Sequence, residues 1–160
     1  MNKVIKFEQL EELSKKIKQK GEKIILVGGC FDILHTGHIR FLKSAKELGG
    51  KLLVALESDE SVKRSKGEKR PVNNQKERAN ILSNLPSVDI IVTLPFLEGY
   101  VDYYRLVEKI KPDIIAVTKG DKRKKEKERQ ARAFGAKVIE TVERVKDFST
   151  TNIIKRQTNT

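Results

Sequence analysis

Both histidines of the chain lie in one short segment, GGCFDILHTGH, which spans residues 28–38. His35 and His38 are three residues apart, where an apolar run at 24–27 gives way to a helical pattern that begins near Gly37. The first turn of a helix offers unpaired backbone N–H groups and the positive end of the helix dipole. Two imidazoles at this position form a concentrated anion site, for which phosphate is the natural occupant.

Metal binding, helix capping and a core position are the alternatives for this histidine pair. A metal would need a third ligand, and Asp32 is the one acidic side chain close by in the sequence. Cys30 is the only cysteine, which excludes an internal disulfide and argues against a zinc site. We favour phosphate contact for the histidines and a small buried role for Cys30, and we predict no metal ligands from the protein.

The pair Gly28-Gly29 follows the apolar run directly. Two glycines allow a tight turn, and they also allow the backbone to approach a phosphate closely. The segment is neither the G-x-G-x-x-G dinucleotide fingerprint nor a P-loop, because it lacks the Gly-Lys-Ser/Thr ending. Both roles of the glycines are compatible with an anion site.

Three further segments carry basic or hydroxyl side chains. The run 63–70 is either a solvated basic loop or a segment in which Lys66 and Arg70 close over phosphates. The hydroxyls at 149–151 either cap a helix or form an anion cradle at its N-terminus. The charged run 122–132 is interpreted as a solvated helix face.

The composition indicates one domain with an anionic partner. The chain has 160 residues, of which 38% are hydrophobic and 35% charged, and its formal net charge is +12. Aromatic residues make up only 6%, which argues against a base-stacking platform for nucleic acid. The first residues lack the apolar core of a signal peptide, and no apolar run approaches the ~20 residues of a membrane span. We therefore expect a cytoplasmic protein that binds neither nucleic acid nor membrane.

Short apolar runs alternate with helical patterns along the chain. This alternation predicts an α/β domain in three layers, a Rossmann-like fold with a five-stranded parallel sheet. We expect a single domain over 1–160, with a leading helix in 1–21 and the Rossmann-like core in 22–160. The predicted strands lie at 24–27, 51–56, 89–93, 113–117 and 136–140, and 61–74 is predicted to be a loop. Ligands of such sheets bind beyond the carboxyl ends of the strands, where the loops 28–38, 57–70 and 118–121 and the approach to Ser149 converge.

The segment GGCFDILHTGH contains the His-x-Gly-His motif, and by it the chain resembles the cytidylyltransferase-like nucleotidyltransferases. Within them it is most similar to the adenylyltransferase domains of the bifunctional heptose 7-phosphate kinase/heptose 1-phosphate adenylyltransferases. The likeness covers nearly the whole chain. It includes VALESDESVKRSKGEKRPVN, the pairs Glu77-Arg78 and Gly120-Asp121, and STTNIIKR from Ser149.

The resemblance implies a nucleotidyltransferase that moves AMP from ATP to a phosphorylated sugar such as D-glycero-β-D-manno-heptose 1-phosphate and releases pyrophosphate. It implies Mg²⁺ held mainly by the nucleotide phosphates, and a homodimer. The catalytic residues would be His35, His38 and Lys66. The nucleotide would be bound by Gly28, Gly29, Cys30, Phe31, Gly37, His38, Arg70, Lys119, Gly120, Asp121, Ser149, Thr150 and Thr151. The acceptor would be bound by Asp32, Asp59 and Arg78.

The resemblance leaves other substrates open. The heptose enzymes usually carry Lys-Gly-Gly-Asp where this chain has Thr118-Lys119-Gly120-Asp121. Relatives with the same motifs transfer CMP from CTP to glycerol 3-phosphate, or AMP from ATP to FMN or phosphopantetheine. The alternative outside enzymes is a module that binds a nucleotide at the same anion site without turnover.

Overall fold

The computed structural model of the chain describes residues 2–143 and 150–158. Strands and helices alternate along these residues. The strands are β1 (Val4–Lys6), β2 (Ile24–Gly29), β3 (Lys51–Leu56), β4 (Ile90–Thr93), β5 (Ile114–Lys119) and β6 (Lys137–Glu143). The helices are α1 (Leu10–Gln19), preceded by a 3-10 turn (Phe7–Gln9), then α2 (Thr36–Lys46), α3 (Asp59–Lys66), α4 (Gln75–Ser83), α5 (Tyr100–Ile110), α6 (Lys124–Ala133) and α7 (Thr150–Thr158).

All six strands form one parallel sheet in the order β1-β4-β3-β2-β5-β6. From β2 the chain builds the sheet outward through β3 and β4, and it then returns to place β5 and β6 on the other side of β2. The order therefore reverses between β2 and β5, which is where a sheet of this type opens a ligand crevice at the carboxyl ends of its strands.

The predicted number of five strands is wrong, because β1 adds a sixth. Val4, Ile5 and Lys6 pair with Ile91, Val92 and Thr93 of β4. A three-residue strand is too short to show an alternating pattern, and the apolar side chains that follow it led to the prediction of a helix alone in this segment. The strand forms because it pairs with the outer edge of β4, a tertiary contact that the local sequence does not encode.

The predicted loop at 61–74 is also partly wrong, since α3 occupies its first part. Ser58 caps the helix by accepting a hydrogen bond from the backbone N–H of Ser61 at 3.1 Å, and Asp59 and Glu60 complement the dipole in the first turn. Val62 is the only buried side chain of this helix. A helix that buries one side chain has no apolar periodicity, so only its cap was visible in the sequence.

Helices cover both faces of the sheet, which confirms the predicted three layers. Alternate strand residues pack on one side against α1, α5 and α6, around Leu10, Leu106 and Ile110. The intervening strand residues pack on the other side against α2 and α4, around Leu42 and Leu82. Burial on both faces explains the continuous apolar runs in the central strands. In the part of the chain described, no helix has the length and apolar content to cross a bilayer.

Candidate functional site

A cavity of about 170 Å³ opens where the strand order reverses. β2 and β5 pair only at Ile25 with Ile114 and at Leu26 with Ile115, so these two described strands separate before their carboxyl ends. The cavity occupies the resulting gap. It is lined by Gly28, Gly29, Cys30, Phe31, His38, Phe41, Ala116, Val117, Thr118, Asp121 and Lys127.

The turn between β2 and α2 is built around Phe31. This residue has a φ of +46°, an uncommon conformation for a non-glycine residue, and its side chain is buried. A Cβ on Gly29 would lie 2.8 Å from the Phe31 ring, so the glycine is required by the packing of that ring. The Phe31 ring in turn contacts the His38 ring, with 5.2 Å between centroids. Phe31 therefore shapes the wall of the cavity and supports His38.

The two imidazoles stack on each other at the N-terminus of α2. Their ring centroids are 3.8 Å apart and their planes differ by 24°. His35 also caps the helix, since its Nδ1 accepts a hydrogen bond from the backbone N–H of Gly37 at 3.1 Å. The Nδ1 of His35 is thus an acceptor, and in the neutral ring its Nε2 carries the proton and is a donor.

Both rings are neutral at physiological pH. Burial, and then the neighbouring charge of His35, lower the pKa of His38 to about 4, against a smaller opposing effect from a hydrogen bond to the backbone of Ile33. Burial also lowers the pKa of His35. A neutral imidazole has one N–H to donate, so His38 would exchange its hydrogen bond to the Ile33 backbone for one to a phosphate, and the approaching negative charge would then favour protonation of both rings. The pair is suited to contact charge that develops during a reaction.

The low pKa of His38 makes a testable contribution to stability. Above pH 6.5, the ordinary value, the ring is neutral in the folded and the unfolded chain; as the pH falls toward 4 the unfolded chain takes up the proton first. Between pH 7.5 and 4.5 the wild type should therefore lose about 2–3 kcal/mol more unfolding free energy than His38→Gln. Urea denaturation of both proteins at the two pH values measures this difference, and equal losses would contradict the assigned pKa.

Asp32 holds the loop after α3 against the β2–α2 turn. The carboxylate is buried and accepts hydrogen bonds from the backbone N–H groups of Val72 and Asn73 at 2.9 Å and from Nε of Arg70 at 2.8 Å. Burial raises the pKa of Asp32, but these hydrogen bonds outweigh it and the net shift is downward. Asp32 was predicted to bind the acceptor. Its observed contacts instead place it in the support of the turn.

Arg78 was also predicted to bind the acceptor, and its placement does not support direct contact. The side chain has no exposed surface. Its guanidinium donates to the backbone oxygens of Asn73 and Cys30 at 3.0 and 2.6 Å and to a carboxylate oxygen of Asp59 at 2.8 Å. Arg78 therefore joins α4 to the β2–α2 turn and to the start of α3. Asp59 remains half exposed and accessible to a ligand.

Two predicted phosphate ligands, Lys66 and Arg70, lie near the turn. Lys66 is exposed at the end of α3, and its charge acts on Cys30. Burial, followed by the charge of Glu57, raises the pKa of the Cys30 thiol, in agreement with a role other than nucleophile. Arg70 is 10% exposed and keeps one edge of its guanidinium on Asp32.

The predicted Gly120-Asp121 pair lies at the far side of the cavity. Asp121 accepts a hydrogen bond from Nζ of Lys127 at 2.8 Å. Burial raises the pKa of Asp121, but Lys127 and, to a smaller extent, Arg123 together outweigh it, and the pKa is lowered overall. Gly120 has a φ of +80°, which fits glycine at the turn after β5. Lys119 is exposed at the end of β5.

The predicted anion segment 149–151 lies at the start of α7, and the structure describes it from Thr150 onward. Helix α7 begins at Thr150, and the exposed Thr151 accepts a long hydrogen bond from Arg70 at 3.4 Å. This contact brings the start of α7 to the same edge as the turn. Ser149 and the side chain of Thr150 lie outside the described residues.

Several polar residues at this edge were not predicted. Glu57 follows β3, Tyr103 lies on α5 and donates a hydrogen bond to it, Arg123 precedes α6, and Lys127 lines the cavity. Glu57 directly follows a buried strand, and this position was a usable signal in the sequence. The other three sit in helical or charged segments where nothing distinguishes them from solvated side chains.

The chain matches a known family model over most of its length. The model described as cytidylyltransferase-like covers residues 26–156. The chain belongs to the cytidylyltransferase-like family. This confirms the family predicted from the histidine motif, and the model spans both histidines and the start of α7.

Individual proteins and solved structures also resemble this chain. The chain is 43% identical over 150 residues to "Bifunctional protein HldE" of a Nitratiruptor species, covering 94% of this chain and 31% of that protein. It therefore spans about a third of the length of this relative. The crystal structure of a lipopolysaccharide core biosynthesis protein from Thermoplasma volcanium GSS1 is 29% identical with a TM-score of 0.61, over 81% of this chain and all of that one.

A third match bears on the fold alone. The pantoate-beta-alanine ligase of Francisella tularensis, crystallised with beta-gamma ATP and beta-alanine, has a TM-score of 0.66 at 16% identity. The match covers 97% of this chain and 76% of the ligase. It confirms the Rossmann-like fold of this member of the cytidylyltransferase-like family.

Proposed function

We propose that the chain is an adenylyltransferase that moves AMP from ATP to a phosphorylated sugar of the heptose 1-phosphate type and releases pyrophosphate. The observation that carries the proposal is the stacked, neutral pair His35 and His38 at the N-terminus of α2, beside the cavity between β2 and β5. Family membership supports nucleotidyl transfer at this position.

Two comparisons support a sugar phosphate as the acceptor. The relative from Nitratiruptor is named as a bifunctional protein, and this chain matches about a third of it, as one domain of such a protein would. The Thermoplasma protein is named for lipopolysaccharide core biosynthesis, which is carbohydrate chemistry. ATP as the nucleotide and a homodimeric assembly stay predictions from the sequence resemblance.

The reaction needs positioning and charge stabilisation rather than a covalent intermediate. A phosphate oxygen of the acceptor attacks the α-phosphorus of ATP in line, a new P–O bond forms, and pyrophosphate leaves with the electron pair of the broken bond. His35 and His38 donate hydrogen bonds to the α- and β-phosphates, where negative charge develops. Lys66 and the terminal nitrogens of the Arg70 guanidinium neutralise the leaving pyrophosphate. Gly28 and Gly29 give the phosphates access to the backbone of the turn.

We propose that Mg²⁺ enters with the nucleotide and is held mainly by its phosphates. Asp32 is committed to Arg70 and Asp121 to Lys127. When bound to the phosphates, Mg²⁺ supplies charge neutralisation. The basic side chains around the turn hold the same phosphates from the protein side.

Pyrophosphate release tests the proposal. The purified protein is supplied with Mg²⁺ and each of the four common nucleoside triphosphates, combined with heptose 1-phosphate, glycerol 3-phosphate or FMN. We expect turnover with ATP and heptose 1-phosphate to exceed the other combinations by at least about tenfold, since a site rejects substrates that leave its buried polar groups unpaired.

Each other outcome selects an alternative. Preferred turnover of CTP with glycerol 3-phosphate would assign a cytidylyltransferase, and preferred turnover of ATP with FMN would assign an FMN adenylyltransferase. Tight nucleotide binding without pyrophosphate from any acceptor would assign a binding module. The proposal is contradicted by each of these three results.

A further inference from the structure

Glu57 lies at the ligand edge on the side of β2 that faces away from the cavity. It directly follows β3, and its backbone N–H donates to the oxygen of Gly29 at 3.1 Å, so it sits beside the end of β2. Because β3 and β5 flank β2 on opposite sides, Glu57 and the cavity lie on opposite sides of the glycine turn. The glycine turn therefore separates Glu57 from the cavity.

One oxygen of the Glu57 carboxylate is held and the other is not. Tyr103 donates its hydroxyl to Oε1 at 2.8 Å. Oε2 is buried and has no hydrogen-bond partner in the described part of the chain. A buried polar atom left without a partner is destabilising, and more so when it is charged. Oε2 therefore keeps an unused capacity to accept a hydrogen bond, on a side chain that is itself only partly buried.

The charged groups around Glu57 do not provide a hydrogen-bond partner for Oε2 in the described part of the chain. The charge of Arg78 acts on the Glu57 carboxylate, but each of the three guanidinium nitrogens already donates a hydrogen bond to another acceptor. Arg123 is exposed and acts on Glu57 from the loop before α6, and no ion pair joins it to Glu57 within the described residues. Burial raises the carboxyl pKa, and the hydroxyl of Tyr103, the charge of Arg123, the nearby hydroxyl of Ser61 and the charge of Arg78 offset part of this rise. No contact from Ser61 to Oε2 has hydrogen-bond geometry.

A hydroxyl of the acceptor is the best fit to this carboxylate oxygen. A carboxylate accepts hydrogen bonds from hydroxyls and repels phosphates, so it does not suit the triphosphate chain. The cavity on the other side of the turn leaves the region near Glu57 for the second substrate. A polyhydroxylated sugar presents several donors there while its phosphate extends toward His35 and His38.

We propose that Glu57 is a specificity-determining residue that binds a hydroxyl of the sugar acceptor through Oε2. Tyr103 holds the carboxylate through Oε1 and is a positioning residue. The inference rests on the proposed function for the identity of the acceptor, and it adds the residue that selects it.

Binding and turnover of D-glycero-β-D-manno-heptose 1-phosphate test this inference separately. In isothermal titration with this sugar phosphate, Glu57→Ala should raise Kd about 10–100-fold, the range for a lost hydrogen bond to a charged group. In steady-state assays, kcat/KM for the sugar should fall by the same factor while KM for ATP stays within about twofold. Glu57→Gln keeps an acceptor oxygen and should recover part of the lost affinity for the sugar phosphate. Tyr103→Phe should reduce that affinity less than Glu57→Ala does.

Monodeoxy analogues of the sugar phosphate identify the contact. The wild type should bind the analogue that lacks the contacted hydroxyl as weakly as Glu57→Ala binds the complete sugar phosphate. Glu57→Ala should bind that analogue no more weakly than the wild type does. Glu60→Ala is the matched control, since Glu60 is an exposed carboxylate in the first turn of α3. It should leave both Kd and kcat/KM unchanged.

The contrary results are distinct from failure of the proposed function. Unchanged sugar affinity in Glu57→Ala, with an active wild type, would overturn the inference and leave the function intact. A raised KM for ATP instead of the sugar would overturn it by placing Glu57 against the nucleotide. A wild type that binds the sugar through Glu57 but releases no pyrophosphate would retain the inference and reject the function. A wild type that neither binds nor turns over the sugar would reject both.

Discussion

Replacing His38 with alanine should lower kcat for pyrophosphate release by about 10²–10³, the range for removing one donor that stabilises a transition state. The same loss is expected for His35→Ala. Each ring is held by the other at 3.8 Å and by the surrounding turn, so the pair acts on the phosphates with little reorganisation. Steady-state kinetics with ATP and the sugar phosphate measure the effect, which should fall mainly on kcat.

Lys43→Ala is the matched control for this prediction. Lys43 is exposed on α2 more than one turn beyond the histidines, so its removal changes the charge of the helix without touching the turn. Its kcat should stay within about twofold of the wild type. The assigned roles would be wrong if both histidine variants kept wild-type turnover while Lys119→Ala abolished it. Circular dichroism of each variant separates lost chemistry from lost fold.

Arg78→Ala should lower the free energy of unfolding by about 2–5 kcal/mol, because removing a fully buried guanidinium leaves its hydrogen-bond partners without a donor, at about 1–3 kcal/mol for each buried oxygen. Here the partners are the backbone oxygens of Cys30 and Asn73, which the substitution leaves unpaired, and the carboxylate of Asp59. Urea denaturation with two spectroscopic probes measures the change.

The neighbouring Lys76 supplies the control for Arg78. Lys76 is exposed on the same helix, and Lys76→Ala should change stability by less than about 0.5 kcal/mol. Arg78→Lys should recover little of the loss, since a single ammonium does not reach three acceptors in the directions of a guanidinium. Near-native stability of Arg78→Ala would mean that Arg78 is free to move, and would return it to the set of residues available for substrate.

The location of the site could be predicted because its signals are local. Adjacent glycines after an apolar run, followed by two histidines at a helix start, place the turn at the carboxyl edge of a parallel sheet without any long-range information. The alternation of strands and helices also predicts a parallel sheet. In such a sheet a ligand crevice opens where the strand order reverses, which here is between β2 and β5.

The partners of the charged residues could not be predicted in the same way. Asp32 and Arg70, and likewise Arg78 and Cys30, meet through contacts between segments that are distant in sequence. A basic or acidic side chain has the same local pattern whether it binds substrate or supports the turn. Only the tertiary structure separates these two roles, which is also why Glu57 emerged from the structure.

The short strand β1 has a consequence for how the protein behaves at high concentration. By pairing with β4 it covers the backbone of a strand whose residues Ile90, Ile91 and Val92 are all buried. If β1 detached, β4 would become an open, apolar sheet margin with unpaired N–H and C=O groups, a template for another copy to join. The edge of the sheet is thus a strand of three residues ending in the exposed Lys6, in place of the apolar β4, far along the sheet from the histidine turn.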